Sequence, residues 1–373
     1  MSVPIRVLMV TCEWPAPGLS RTAHFIKRQA EFLRAAGVEV EVFPFRGEKN
    51  PLRYLAAWAR LRLELWRGRY DLVHAQFGQS GLLALPKRLP LVVTFRGSDL
   101  LGTVSDRSGR HMWASALHQR LCRLVARRAD ARIVVSAHMK AYLPPALGAE
   151  VIPSGLDFEF FRELPRQEAR RRLNLPPDER LVLFVGRPTQ ARKRLWLAER
   201  AVEVLNETLP ARLVVAWGVA HADVPAYMSA CDALVFTSMQ EGSPNVVKEA
   251  LACNLPVVSV GVGDVAERLG GVEGCELCAD ETPEAIAAAL GRVLRRGGRS
   301  RGREAVRGLD ERIITDRVVG VYEQVLKGRG EAAAAKGLMS SVPQAGGGSA
   351  DRTLAARAAV SSSEARVSAV RQH

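Results

Sequence analysis

Ten short apolar runs, each set between stretches of helical pattern, recur along this chain in two matched series. The first series is Arg6 to Val10, Val38 to Phe43, Leu72 to His74, Leu91 to Phe95 and Ala131 to Val135. The second is Leu181 to Val185, Arg212 to Trp217, Ala233 to Phe236, Pro256 to Val260 and Cys275 to Cys278. Apolar strands alternating with helices are the pattern of a parallel sheet covered on both faces. A helix from about Ala23 to Ala36 ends at Gly37, a left-handed stop signal. Two such series predict an α/β chain of two Rossmann-like, doubly wound domains facing across a cleft, with ligands at the carboxyl ends of the strands. A length of 373 residues suits two domains. They are placed at 1–160 and 161–312, joined near Pro144 to Pro165, with a last helix over 313–327. After Lys327 come Gly346-Gly-Gly-Ser349, an alanine run and Ser361-Ser-Ser363. Residues 328–373 therefore read as a disordered low-complexity tail.

Composition removes several classes of function. No stretch approaches the ~18 consecutive apolar residues of a membrane span. The N-terminus reads as a first strand rather than a leader. Six scattered cysteines in a long chain predict a reduced, cytosolic protein. Cys275 and Cys278 have metal-type spacing but no second pair, so strand alternation explains them better. No Asp-X-Asp pair occurs, so the expected site is metal-free and needs no cofactor. The net charge of +14 is uneven: residues 1–150 hold 23 Lys/Arg against 11 Asp/Glu. The basic half points to a negatively charged partner, an anionic membrane surface or a lipid-phosphate acceptor. Asn50 to Tyr70, with Trp58 and Trp66 among five arginines, has the composition of an interfacial membrane helix. A helix packed on the sheet with solvated arginines is the plainer reading.

The second series carries the densest chemistry. The strand Ala233 to Phe236 runs into a loop with Glu241 and Gly242. A helix-start signal follows, with Ser243 as N-cap and Pro244 as the first helical residue. The amides of Asn245, Val246 and Val247 are then free at a helix end that favours an anion. Glu249 lies about 7.5 Å further along the helix, at 1.5 Å per residue. One carboxylate at the mouth of a phosphate-friendly helix and another deeper in it suit a ligand with hydroxyls at both ends and phosphate between. A nucleotide-sugar fits that description. Arg187, just after Gly186 at a strand end, and Lys193 across the same loop are placed to clamp a diphosphate, the one by its fork and the other as a point charge. The plain alternative is a solvated stripe of Asn245, Lys248 and Glu249, with Arg187 and Lys193 as surface charge.

Glu241, seven intervening residues, then Glu249-Ala250 and a Pro-Val-Val strand resemble the signature of the retaining glycosyltransferases of the two-Rossmann-domain (GT-B) type, often called glycosyltransferase family 4. Phe184-Val-Gly-Arg187 with Lys193 resembles that family's strand-Gly-Arg…Lys motif. Val151-Ile-Pro-Ser-Gly-Leu-Asp157 followed by Phe160 resembles its Pro-Asn-Gly-Val-Asp linker, with Ser154 for the usual Asn. Asp71-Leu-Val-His74 and Thr94-Phe-Arg-Gly-Ser-Asp99 resemble two N-domain motifs. The likeness runs over roughly residues 5 to 325.

The resemblance implies that Glu249 binds the donor ribose and Glu241 the transferred sugar, with backbone contacts from the residues after Gly242. It implies front-face attack without a covalent intermediate, the donor phosphate assisting deprotonation of the acceptor. It also implies that the last helix crosses back to the N-domain. Gly18, in the first N-domain loop, would let the backbone approach the diphosphate or the acceptor; a glycine there is also ordinary turn chemistry. Two N-domain positions depart from the pattern: Arg96 stands where a His is common before Gly-X-Asp99, and Gln76 where a second His often follows His74. Arg96 either contacts a phosphate or an acidic acceptor, or makes a surface pair with Asp99.

The expected activity is metal-independent transfer, with retention, of a sugar from a UDP- or GDP-sugar to a hydroxyl of a lipid-linked or envelope-polysaccharide acceptor. No nucleic-acid partner is expected. The expected place is the cytoplasm, at the inner face of the cell membrane. A GT-B epimerase or phosphorylase is the alternative within enzymes. A basic membrane- or nucleic-acid-binding protein on the same fold is the alternative outside them.

Overall fold

The structure, a computed structural model, describes residues 4–15, 23–47 and 50–340. Two parallel sheets organise them. The first comprises β1 (Arg6–Thr11), β2 (Glu39–Pro44), β3 (Leu72–Gln76), β4 (Leu91–Phe95), β5 (Ala131–Val134) and β6 (Glu150–Val151), in the order β2-β1-β3-β4-β5-β6. The second comprises β7 (Leu181–Val185), β8 (Arg212–Ala216), β9 (Ala233–Phe236), β10 (Val257–Ser259) and β11 (Glu276–Leu277), in the order β11-β10-β9-β7-β8. The central strands are apolar throughout because helices cover both their faces; Val7 to Val10 and Leu91 to Val93 are wholly buried.

In the first half the helices are α1 (His24–Ala35), α2 (Pro51–Trp66), α3 (Gly78–Leu83), α4 (Ser98–Leu101) and α5 (Ser115–Arg128). Ile26, Ala30 and Leu33 of α1 pack on one side of the first sheet. Ala57, Leu61 and Leu65 of α2 pack on the other, together with Cys122, Val125 and Ala126 of α5. The second half adds α6 (Arg166–Arg172), α7 (Leu195–Asn206), α8 (Val224–Ala230), α9 (Asn245–Ala252), α10 (Val265–Leu269), α11 (Pro283–Arg296), α12 (Gly302–Ala305) and α13 (Glu311–Ser340). The apolar cluster under α1 runs on through Ile152, Leu156 and Phe161 to Val247 of α9 and Val318 of α13. One continuous core therefore joins the two sheets through the chain that links them.

Two expectations need correcting here. The disordered tail does not begin at 328, because α13 continues to Ser340. The run Glu331-Ala-Ala-Ala-Ala-Lys336 consists of strong helix formers, and the helix runs into it through Gly328 and Gly330. Residues 341–373 lie outside the described residues. The linker placed near Pro144 to Pro165 holds a strand that the sequence series did not include, β6, which extends the first sheet beside β5. Two residues are too few to show a period.

The last helix packs against N-domain residues. Arg317 Nη2 donates to Val151 O at 2.7 Å. Tyr322 Oη lies 2.6 Å from His74 Nδ1, and His74 Nε2 lies 2.8 Å from Thr94 Oγ1. Burial, reinforced by the Arg96 charge, brings the His74 pKa down to about 3. Protonation would turn an accepting nitrogen into a second donor in a dry site. The unfolded chain takes that proton near the ordinary histidine value of ~6.5, so between there and about 3 it binds more protons than the folded one. Stability should therefore fall as pH drops through that window. Denaturation midpoints measured at several pH values should show the slope in the parent and a flatter one in His74→Gln. Equal slopes would remove His74 from the acid response.

Candidate functional site

The site is assembled where the carboxyl ends of β7 and β9 meet the loops of the N-domain. The loop after β7 is fastened to the end of β9. Met239 N donates to Arg192 O at 2.8 Å, Thr237 Oγ1 donates to Lys193 O at 2.9 Å, and Arg194 Nε returns a bond to Thr237 O at 2.6 Å. Arg194 takes a left-handed conformation (φ 52°) to make this turn. The result brings Lys193 and Glu241 together, 48 residues apart in sequence.

Lys193 Nζ donates to Glu241 Oε1 at 2.7 Å, and Arg192 Nη1 makes a short contact to the same oxygen. Burial alone would raise the Glu241 pKa; the Lys193 charge, then that of Arg192, outweigh it and bring it to about 2. Glu241 is thus a fixed anion. Burial holds the Lys193 pKa below its ordinary value, even with Glu241 beside it. The surface-charge reading of Lys193 fails: its side chain is 14% exposed and sits over the Phe236 ring. Arg187 follows Gly186 at the end of β7 and lies over Trp217 at 5.8 Å. It has no ion pair among the described residues.

Helix α9 begins one residue later than its sequence signal. Pro244 occupies the cap position, with ψ 116°, and no side chain caps the helix. Ser243 is not the cap, because its hydroxyl donates instead to Asp264 Oδ2 at 2.8 Å, a buried carboxylate that also accepts from Arg268. The first-turn amides of Asn245, Val246 and Val247 therefore have no side-chain partner, and the buried Asn245 Oδ1 is also without one. The solvated-stripe reading fails for Lys248, which is 1% exposed and donates to Ser154 O at 3.1 Å. Its pKa is brought down to about 7 by burial. Glu249 is only partly exposed. Its carboxylate has no hydrogen-bond or ion-pair partner among the described residues. Burial raises its pKa against the opposing charges of Arg28, Lys248 and Lys193.

The N-domain wall approaches closely. Ser136 Oγ donates to Gly242 O at 2.8 Å, and Gln240 Nε2 donates to Leu101 O at 3.0 Å. A Cβ on Gly242 would lie 2.6 Å from Arg96 O, so only glycine permits this contact. Sequence reading missed Ser136, Gln240 and Lys248; their only signal is proximity across the fold.

Asp99 is completely buried and its carboxylate accepts the amides of Gly78, Arg96, Gly97 and Leu100. The surface pair expected between the Arg96 and Asp99 side chains is absent. Arg96 points away, over Phe25. Its Nη1 donates to Ser154 Oγ at 2.7 Å, its Nη2 to Gln29 Oε1 at 3.1 Å and to Gln76 Oε1 at 2.5 Å, and its Nε to Gln76 Oε1 at 3.1 Å. Arg96, Gln76 and Ser154 are the three positions at which the sequence departs from the family pattern, and they bond to one another. The longer guanidinium reaches the linker serine, and the amide accepts from it. Four of the five guanidinium hydrogens are used, which leaves little to offer an acceptor phosphate. Gly18 lies outside the described residues. Among those residues no group of three or more His, Cys, Asp or Glu side chains is placed to hold a metal ion.

Comparison with known proteins agrees with this architecture. Residues 5–160 match the profile of Glycosyltransferase Family 4, and residues 178–296 that of Glycosyl transferases group 1. A teichuronic acid biosynthesis glycosyltransferase of Bacillus subtilis is 29% identical over 224 residues, which is 54% of this chain and 55% of that protein. A D-inositol 3-phosphate glycosyltransferase of Mycobacterium bovis is 30% identical over 280 residues, 63% of this chain and 56% of that protein. The chain thus spans a little over half the length of these curated relatives. Among solved structures, sucrose-phosphate synthase of Thermosynechococcus elongatus superposes with TM-score 0.72 at 22% identity, over 87% of this chain and 100% of that one. Anabaena HepE in complex with UDP does so with TM-score 0.61 at 17% identity, over 86% and 100%. These likenesses show the GT-B fold.

Proposed function

We propose that this chain, which carries a glycosyltransferase family 4 domain followed by a group 1 glycosyl transferase domain, moves a hexose from a nucleotide-sugar to an acceptor hydroxyl with retention of configuration. The observation that carries the reading is Glu249: a partly buried carboxylate with no partner among the described residues, one helical turn inside an uncapped helix end. An unpaired carboxylate in such a place costs stability unless a ligand supplies donors. Ribose hydroxyls are such donors. The helix amides and Arg187 then face the diphosphate. Lys193 spends one of its three N–H groups on Glu241 and keeps two for phosphate. As the bond to the sugar breaks, charge grows on the diphosphate, and these cations and amides stabilise it without reorganising. In this reading the fixed cations do what Mg²⁺ would otherwise do, and Glu241 holds the sugar. A UDP- or GDP-sugar is the proposed donor; the Anabaena protein's complex with UDP supports the first. A lipid-linked or envelope-polysaccharide precursor is the proposed acceptor, reached from the cytoplasmic face of a membrane.

Thermal unfolding of the purified chain against UDP-, GDP- and ADP-sugars, with EDTA present, tests this. A donor at 100 times its dissociation constant should add about 2.7 kcal/mol of stability. The anomeric configuration of the product, read by NMR coupling, tests retention. No shift with any nucleotide-sugar, with or without Mg²⁺, would overturn the reading.

A further inference from the structure

Fifteen large apolar side chains are exposed among the described residues, and nine of them lie on α2, on α5 or at Trp113 just before α5. So concentrated an apolar surface marks an interaction site. Both helices cover the same side of the first sheet, with α3 between them. Each buries one face there and is apolar on the opposite face as well. On α2, Leu52, Leu55, Leu63 and Trp66 are 74%, 60%, 57% and 74% exposed. At 100° per residue they fall within about 80° of one another. On α5, Leu117, Leu121 and Leu124 recur at i, i+4 and i+7 on the outward side, and Trp113 is 91% exposed. Exposed Arg60 and Arg67 flank the first stripe; Arg120, Arg127 and Arg128 flank the second. The two helices carry one carboxylate between them, Glu64, and it is held by Arg67, Arg69 and Tyr70.

We propose that this two-helix face docks on an anionic membrane surface. Leucines entering the acyl boundary, tryptophans at the headgroup level and arginines against lipid phosphate are the chemistry of such an interface. A second copy of the chain fits poorly, because two arginine-ringed faces would repel. The face also continues to the site. The loop between α4 and α5 carries Trp113, and its neighbouring residues touch the site loop: Gln240 bonds Leu101, and Met239 lies against Gly109. An acceptor held in the membrane would thus enter beside Glu241. The surface extends the acceptor reading above, but vesicle binding is measured without donor, so each stands or falls separately.

The experiment is flotation of the full chain with phosphatidylcholine vesicles, alone or mixed with phosphatidylglycerol. Binding should require the anionic lipid and weaken with salt. Leu63→Ser with Trp66→Ala on α2, and Trp113→Ala with Leu121→Ser on α5, should each release the protein. Arg120→Gln with Arg127→Gln, a milder surface change, should weaken binding roughly tenfold or more. Thermal unfolding midpoints and circular dichroism spectra of the ligand-free variants, matching the parent, keep misfolding from mimicking the result. Equal binding to both vesicle types, or α5 variants that bind like the parent, would overturn the proposal. So would a dimer on size exclusion that these substitutions dissolve, without vesicle binding.

Discussion

Glu249→Ala should lose nucleotide-sugar binding by roughly 10²–10⁴-fold while the protein itself becomes no less stable. The first half follows from two hydroxyl–carboxylate hydrogen bonds, each worth about 1.5–3 kcal/mol when one partner is charged, at about 1.4 kcal/mol per tenfold. The second half follows from the site. Glu249 makes no hydrogen bond or ion pair among the described residues, and burial raises its pKa. Removing it from the ligand-free protein removes an unsatisfied group rather than a contact. A residue kept for packing would behave in the opposite way, with stability falling and affinity held. Calorimetric titration of the donor beside thermal unfolding of the free protein separates the two. A variant that binds as tightly as the parent would remove Glu249 from the donor site. Because the pKa is raised, donor affinity should also weaken as pH falls through it, and Glu249→Gln should not show that dependence.

Much of the fold was legible in the chain because parallel sheets write themselves as apolar runs. Leu91–Phe95, Leu181–Val185 and Ala233–Phe236 fall on the residues expected. Ends defined by side-chain competition were not legible. Ser243 looks like a cap until Asp264, 21 residues on, takes its hydroxyl. The tail looked featureless from 328 because its glycines and serines outweighed one alanine run. In the site, the residue types pointed to Glu241, Glu249, Arg187 and Lys193, but not to who holds whom. That Arg96, Gln76 and Ser154 depart together became meaningful only when the fold brought β3, β4 and the linker to one point. Each substitution reads as an isolated anomaly in sequence; in space they form one hydrogen-bonded replacement.

The pairing of Lys193 with Glu241 separates structure from catalysis. Glu241→Gln leaves two cations facing a lost anion. Breaking a buried pair costs about 3–5 kcal/mol, and the lower end applies here because Arg192 is 28% exposed and can turn to solvent. Lys193→Met leaves a buried carboxylate that still meets Arg192, so its penalty is the smaller of the two. With both replaced neither is orphaned, so the double variant should be more stable than the sum of the singles predicts, by about 1–3 kcal/mol in a double-mutant cycle. Turnover should not follow stability. Losing Lys193 removes the cation proposed to meet the leaving diphosphate, about 10²–10³-fold in kcat, and losing Glu241 removes the group proposed to hold the sugar. The double variant should therefore regain stability and stay as inactive as the worse single. If turnover returned together with stability, the pair would be a strut under the site, and the diphosphate would have to be met by Arg187 and the α9 amides alone.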